Sequence, residues 1–191
     1  VQFGAAAGTV FLLEIILVSA CANFSMPPIV SDYMSMTSAT GLRRDKIHNG
    51  IDIAVLEGHE VLAAADGVVA FALWEHYGGF GIGIDHGVNE KGNMVRSVYW
   101  HLSELRVKQG DEVKRGDVIA KSGFTGRSSG LMLGGSIPHL HYGVFIRSST
   151  ESRWVNHVDP NKYWLDGKPQ CFKSDQTYPP IKTEFTYPVR C

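Results

Sequence analysis

From Asn49 onward, apolar and polar residues alternate with the period of a β-strand. Ile51, Ile53 and Val55 are interleaved with Asp52 and Ala54, and Asn49-Gly50 forms a turn at the entrance. Such a strand sends Asp52 to the face opposite the isoleucines and leaves His48 on the turn before it. Two residues four apart could also be neighbours on a helix, but Gly50 and the β-branched alternation argue against that. Glu60 to Ala63 and Ala65 to Phe71 read as two strands of a hairpin turning at Asp66-Gly67. Gly78-Gly79 leads into a strand from Phe80 to Asp85, with Ile82 and Ile84 on one face. Val95 to Leu102 is another strand, and Val107 to Ala120 holds turns at Gly110-Asp111 and Gly116-Asp117. The run His139-Leu140-His141-Tyr142-Gly143-Val144-Phe145 is rich in β-formers. Its two imidazoles stand on one face, about 7 Å apart at the backbone, while Leu140, Tyr142 and Val144 point into a core.

An internal echo links two of these segments. Gly58-His59-Glu60-Val61 with Asp66-Gly67-Val68-Val69-Ala70 is matched by Gly110-Asp111-Glu112-Val113 with Gly116-Asp117-Val118-Ile119-Ala120. It predicts two similar β-hairpin units packed together. No long amphipathic helix is visible. Residues 123–138 read as a Gly/Ser loop, Val158-Asp159-Pro160 leads to a short closing turn of helix at Tyr163-Trp164, and 166–191 reads as an extended tail.

The N-terminal pattern differs. Phe3 to Ala20 is apolar except for Thr9, Glu14 and Ser19, and it runs into Val18-Ser19-Ala20-Cys21. It is short for a membrane span and carries Glu14, whereas small residues at its end suit a signal peptidase. Cys directly after them resembles a bacterial lipobox, so residues 1–20 are expected to be a lipoprotein signal and Cys21 the lipid anchor. Residues 21–41, with Pro27-Pro28 and a Ser/Met/Thr stretch, read as a tether, and the domain is expected over 42–166. Export agrees with the cysteines: setting Cys21 aside leaves Cys171 and Cys191, an even pair expected to form a disulfide in the extension 167–191. The 18 basic and 19 acidic residues leave no basic stripe, so nothing calls for a nucleic-acid partner, and 191 residues call for no second domain.

The chemistry lies in His48, Asp52, His139 and His141. Zinc takes His nitrogen and Asp oxygen in tetrahedral geometry. Four protein ligands make a closed structural site, and three leave a position for water. The spacing alone leaves both arrangements open.

The chain resembles the M23 metallopeptidases, the lysostaphin/LytM type of peptidoglycan endopeptidase. The family's H-x-G-x-D element appears as His48-Asn49-Gly50-Ile51-Asp52, its Y-x-H-L element as Tyr99-Trp100-His101-Leu102, and its H-L-H element as His139-Leu140-His141. Its V-x-x-G-x-x-V-x-x-G-x-x-I element appears as Val107 to Ile119. The resemblance covers about residues 43–165. It implies an all-β fold of antiparallel β-sheets around an open groove, a LytM-like duplicated hybrid motif with few short helices. It also implies Zn2+ held by His48, Asp52 and His141, with His101 and His139 as catalytic residues, and a peptidoglycan substrate. The remaining histidines (His59, His76, His86 and His157) match no ligand position.

Three departures stand beside this. Leu131 to Ile137 intervene between Gly130 and Pro138, an apolar insert expected at the groove mouth as packing, a lid or the docking point of a regulatory partner. Gly143 replaces the Glu common two residues after the second His, which removes an orienting carboxylate. The paired cysteines of the tail are not part of the family pattern. The reading reached is a zinc endopeptidase of wall cross-links or stems, exported and lipid-anchored on the periplasmic side of a membrane. A non-catalytic wall-binding member or amidase activator is the alternative, disfavoured because all five site residues are present. A biotin-carrier-like β-domain lacks a carrier Lys and leaves the histidines without a purpose.

Overall fold

The computed structural model describes residues 25–191 apart from 39, 45, 127–136, 149, 151–152 and 155. Within them the chain forms β1 (Ile29–Ser31), β2 (Ile51–Ala54), β3 (Glu60–Leu62), β4 (Gly67–Glu75), β5 (Gly79–Val88), β6 (Met94–Leu105), β7 (Glu112–Val113), β8 (Val118–Ser122), β9 (His139–Arg147) and β10 (Asn156–Val158). Two 3-10 turns, Pro160–Lys162 and Leu165–Gly167, are the helical pieces among the described residues, and the Asp159 carboxylate caps the first. No helix among them is long and apolar enough to cross a membrane.

The strands pair antiparallel in the order β1-β2-β9-β6-β5-β4-β7. Strand β10 pairs with the later part of β9 and β2 with the earlier part. The alternation in β9 holds: Leu140, Tyr142 and Val144 are fully buried in a core shared with Ile51, Ile53, Ile82, Ile84 and Tyr99. Each such aliphatic side chain contributes roughly 2 kcal/mol of transfer free energy. The all-β, antiparallel class read from the sequence is therefore the observed one.

The internal echo has a different outcome from the one expected. Strands β3 and β4 do not form a hairpin across Asp66-Gly67. Instead β3 pairs with β8, and β4 pairs with β7. The exchange is reciprocal: Ala63 N–H donates to the Asp117 carbonyl and Gly116 N–H to Ala63, while Val69 N–H donates to Asp111 and Gly110 N–H to Val69. Gly110 and Gly116 both sit at positive φ, 91° and 86°, where the chain must reverse tightly between these bonds. Local hairpin signals were real, but each unit's edge is satisfied better by the other unit.

Both ends of the domain also belong to the fold. The tether expected over 21–41 contributes β1, which pairs with β2 through Ile29↔Ile53 and Ser31↔Asp52, so the sheet begins well before Gly41. The tail is extended but not loose. Phe185, Tyr187 and Val189 are buried in the core, and residues 186–190 bond along β3 through Thr186 N–H to Ala64, Leu62 N–H to Pro188 and Arg190 N–H to Glu60. This covers an edge that would otherwise expose unpaired backbone groups. Buried Arg115 reinforces the cover by donating to the Ala64, Ile181 and Glu184 carbonyls, and Cys171 and Cys191 are bridged, with Cα atoms 5.9 Å apart. The signal segment, Cys21 and the insert from Leu131 to Ser136 lie outside the described residues.

Candidate metal centre

Pairing of β2 with β9 sets Asp52 opposite His141 and Ala54 opposite His139. Because side chains alternate along both strands, Asp52 and the two histidines leave the core and share the outer face. His48 arrives from the turn before β2. Its Nε2 lies 2.9 Å from Asp52 Oδ1 and 2.9 Å from His141 Nδ1, and that nitrogen lies 3.1 Å from Asp52 Oδ1. All three residues are buried. Among the described residues they are the group of His, Cys, Asp and Glu able to hold a metal ion.

Hydrogen bonding on the far side of the rings decides what these atoms offer. His48 Nδ1 donates to the Asp32 carbonyl at 2.8 Å, which leaves Nε2 with its lone pair toward Asp52 and His141. His139 Nδ1 donates to Ile137 O at 2.8 Å and His101 Nδ1 to Thr125 O at 3.0 Å, so their Nε2 atoms also carry lone pairs. Main-chain carbonyls thus fix three ring orientations, a task a carboxylate often performs. A side chain at position 143 would require Val98 to shift, because a Cβ there would lie 2.9 Å from Val98 Cγ2.

Two nitrogens and a carboxylate oxygen converge at about 3 Å, and either a proton on His141 Nδ1 or a cation among them offsets their lone pairs. Zinc–ligand bonds of about 2.0–2.1 Å in a tetrahedron place ligand atoms roughly 3.3 Å apart. The observed triangle is close to that size, and its donors are the nitrogen and oxygen types zinc prefers. The residues fit the ion. Burial alone would raise the Asp52 carboxyl, but contacts from His141 and His48 hold it well below the usual carboxylate range, and burial pushes His141 down.

His101 reaches the centre by a broken rule. Strict alternation would place it in the core with Tyr99. Ile82 pairs with Tyr99 and Phe80 with Leu102, so Trp100 and His101 together oppose Gly81 in a bulge. His101 takes φ 68°, a conformation costing roughly 1–3 kcal/mol for a non-glycine residue, and Tyr99 and Leu102 both remain buried. At the same point β6 exchanges its neighbour β9 for β8. The His101 ring lies 4.9 Å from His139 and 6.0 Å from His141. Burial, then the neighbouring His139 and His141, lower its pKa to about 3, so the ring is neutral.

Two supporting residues escaped the sequence reading. Arg44 Nη2 donates to the second oxygen of Asp52, and also to Ser31 Oγ at 3.1 Å. Arg44, four residues before His48, is a visible signal, but it directly follows the polar stretch read as a tether. Gly50 reads from the sequence as a turn and as part of the H-x-G-x-D element, with no sign of a contact to a site ring. A Cβ there would meet the Tyr142 carbonyl and come within 2.8 Å of His141 Nε2, so the glycine makes room for both the β9 backbone and the ring. His139 Nε2 lies 3.8 Å from Asp52 Oδ1, beside the triangle. His59, His86 and His157 make their hydrogen bonds elsewhere, to Arg190 O, to Asp66 O and Ser97, and to Tyr33.

Comparison with known proteins identifies the family. The family described as Peptidase family M23 matches residues 46–156. Peptidoglycan DD-endopeptidase ShyA of Vibrio cholerae is 40% identical over 114 residues, 60% of this chain and 23% of ShyA. Lysostaphin of Staphylococcus staphylolyticus is 38% identical over 106 residues, 56% of this chain and 20% of its own length. The crystal structure of a zinc-containing peptidase from Vibrio cholerae aligns with a TM-score of 0.52 at 32% identity, covering 70% of this chain and 35% of that one. The chain therefore spans about a quarter or less of the two curated relatives it matches here.

Proposed function

The chain belongs to peptidase family M23, and on that premise we propose that it is a zinc-dependent endopeptidase cutting peptide bonds in the cross-links or stems of bacterial peptidoglycan. The observation that carries the reading is the convergence of His48 Nε2, His141 Nδ1 and Asp52 Oδ1, with His101 and His139 beside them. His48, Asp52 and His141 would hold the ion. When bound, zinc supplies Lewis-acid activation of a water and of the scissile carbonyl. His139 and His101 present lone-pair Nε2 atoms with their other nitrogens anchored on the Ile137 and Thr125 carbonyls. One of them accepts the proton of the attacking water, and the protonated ring then donates to the leaving amine or the developing oxyanion. Burial keeps His101 neutral, so its Nε2 accepts a hydrogen bond, while the same burial opposes its holding a proton.

The relatives named as peptidoglycan endopeptidases support the substrate class, which implies an exported protein. We place it on the periplasmic side of a membrane, held by lipid on Cys21 behind the apolar run of residues 3–20. The amidase-activator reading gains no support, because every residue of the centre is present and oriented.

The test uses the protein without its first 21 residues, purified with zinc and given defined muropeptides with and without chelator. About one zinc per chain and chelator-sensitive cleavage are expected. His141→Ala should release the metal, and His139→Ala should keep it and lose activity. Loss of zinc from His139→Ala would show a four-ligand structural site and end the enzyme reading.

A further inference from the structure

Next to the metal centre, the outer face of the sheet carries an aromatic floor that the chemistry above does not use. Trp100 on β6 lies directly across from His141. The next row across the strands runs Gly143, Val98, Gly83 and Phe71. Glycines strip this face. A Cβ at Gly78 or Gly81 would enter the Trp100 ring, and one at Gly83 would enter the Phe71 ring. Each glycine inside a strand costs roughly 1 kcal/mol against alanine and marks a close approach to the backbone. Here the rings lie down on the bare backbone, half-buried and stacked at 5.6 Å with 30° between planes. The Arg96 guanidinium sits 5.8 Å from Phe71 and 4.3 Å from Trp154, and it is forked onto Asp85 at 2.6 and 2.9 Å.

We propose that this floor, Phe71 and Trp100 edged by the Arg96–Asp85 pair, binds sugar rings of the glycan strand that carries the cleaved peptide. The inference rests on the peptidoglycan endopeptidase reading and goes further by assigning a second part of the substrate to a second part of the face. The apolar C–H face of a pyranose ring lies against the negative face of an aromatic ring. The Arg96 and Asp85 charges cancel, so the edge suits neutral hydroxyl and acetamido groups better than an anion. The floor is continuous with the catalytic centre, and the distances agree. From β9 to β4 are three strand spacings, about 14 Å, and an extended stem of about four residues reaches about 14 Å. A peptide cut at the metal would leave its sugar over Phe71.

The experiment measures binding of neutral strands of β-linked N-acetylglucosamine, which carry no carboxylate, to the zinc-loaded protein. Wild type and Phe71→Tyr should bind, and Phe71→Leu should bind roughly tenfold more weakly, the value of about one ring contact. No binding by wild type, or equal binding by the Leu and Tyr variants, overturns the inference. If Phe71→Leu fails to fold, titrating wild-type tryptophan fluorescence with the same strands decides, and an unchanged signal overturns it. Cleavage of a sugar-free peptide by wild type reads the catalytic proposal separately. If Phe71→Leu loses cleavage equally on sugar-free and sugar-linked peptides, the floor holds peptide and not glycan.

Discussion

His86 offers a quantitative test of the fold away from the metal centre. It is buried to 2% exposure on β5, with Nδ1 donating to the Asp66 carbonyl and Nε2 bonded to Ser97 Oγ, and it packs 4.9 Å from Phe185. Burial lowers its pKa from 6.5 to about 4. Below pH 6.5 the unfolded chain takes up a proton that the folded chain refuses. The contribution is therefore complete above 6.5 and disappears as pH falls toward 4. With those two values, linkage removes about 2.5 kcal/mol by pH 4.5 and almost nothing at pH 7. His86→Gln deletes the titration and keeps a donor for the Asp66 carbonyl. Urea unfolding of both proteins at pH 7 and 4.5, followed by tryptophan fluorescence, measures the difference of differences. The advantage of wild type over the variant should shrink by about 2.5 kcal/mol at the lower pH. Parallel losses in the two proteins would refute the reasoning, because other groups would then account for the acid sensitivity.

Three further outcomes are expected. Reducing the Cys171–Cys191 bridge, which closes a loop of 20 residues in sequence separation, should cost about 3 kcal/mol and lower Tm by roughly 6–12 °C, read by calorimetry with and without reductant. Gly50→Ala puts a Cβ within 2.8 Å of His141 Nε2 and against the Tyr142 carbonyl, so it should displace both and weaken zinc binding by about 10-fold or more in chelator competition. Arg44→Met leaves the second oxygen of Asp52 buried without its donor. It should weaken zinc about 10–100-fold, and Arg44→Lys should recover part of the loss.

The period-two pattern was enough to orient β2 and β9, and with them Asp52, His139 and His141, because burial of alternate residues leaves no choice of face. What alternation could not show is where it fails. His101 depends on one extra residue in β6, visible only once Ile82 and Phe80 are paired with Tyr99 and Leu102. The carbonyls of Asp32, Ile137 and Thr125 carry no side-chain signature, although they decide which nitrogen each ring presents. Pro-rich, polar stretches at both ends resembled linkers. Their apolar residues, Ile29 and then Phe185, Tyr187 and Val189, were few and widely spaced, and only edges left open by β2 and β3 give them a place.

The crossed pairing of the two repeated units reaches beyond the mature shape. Val61 waits for Ala120, 59 positions later, and Gly67 for Val113. Although β4 pairs locally with β5, the two units gain from each other only after long-range closure, which raises the contact order and slows assembly. A fragment carrying one unit has no internal partner for its edges. Two copies of that fragment, however, could satisfy each other by the same exchange, as in a domain-swapped dimer. The present chain has the form such a dimer would take after duplication and fusion, with the swap made permanent by a covalent connection.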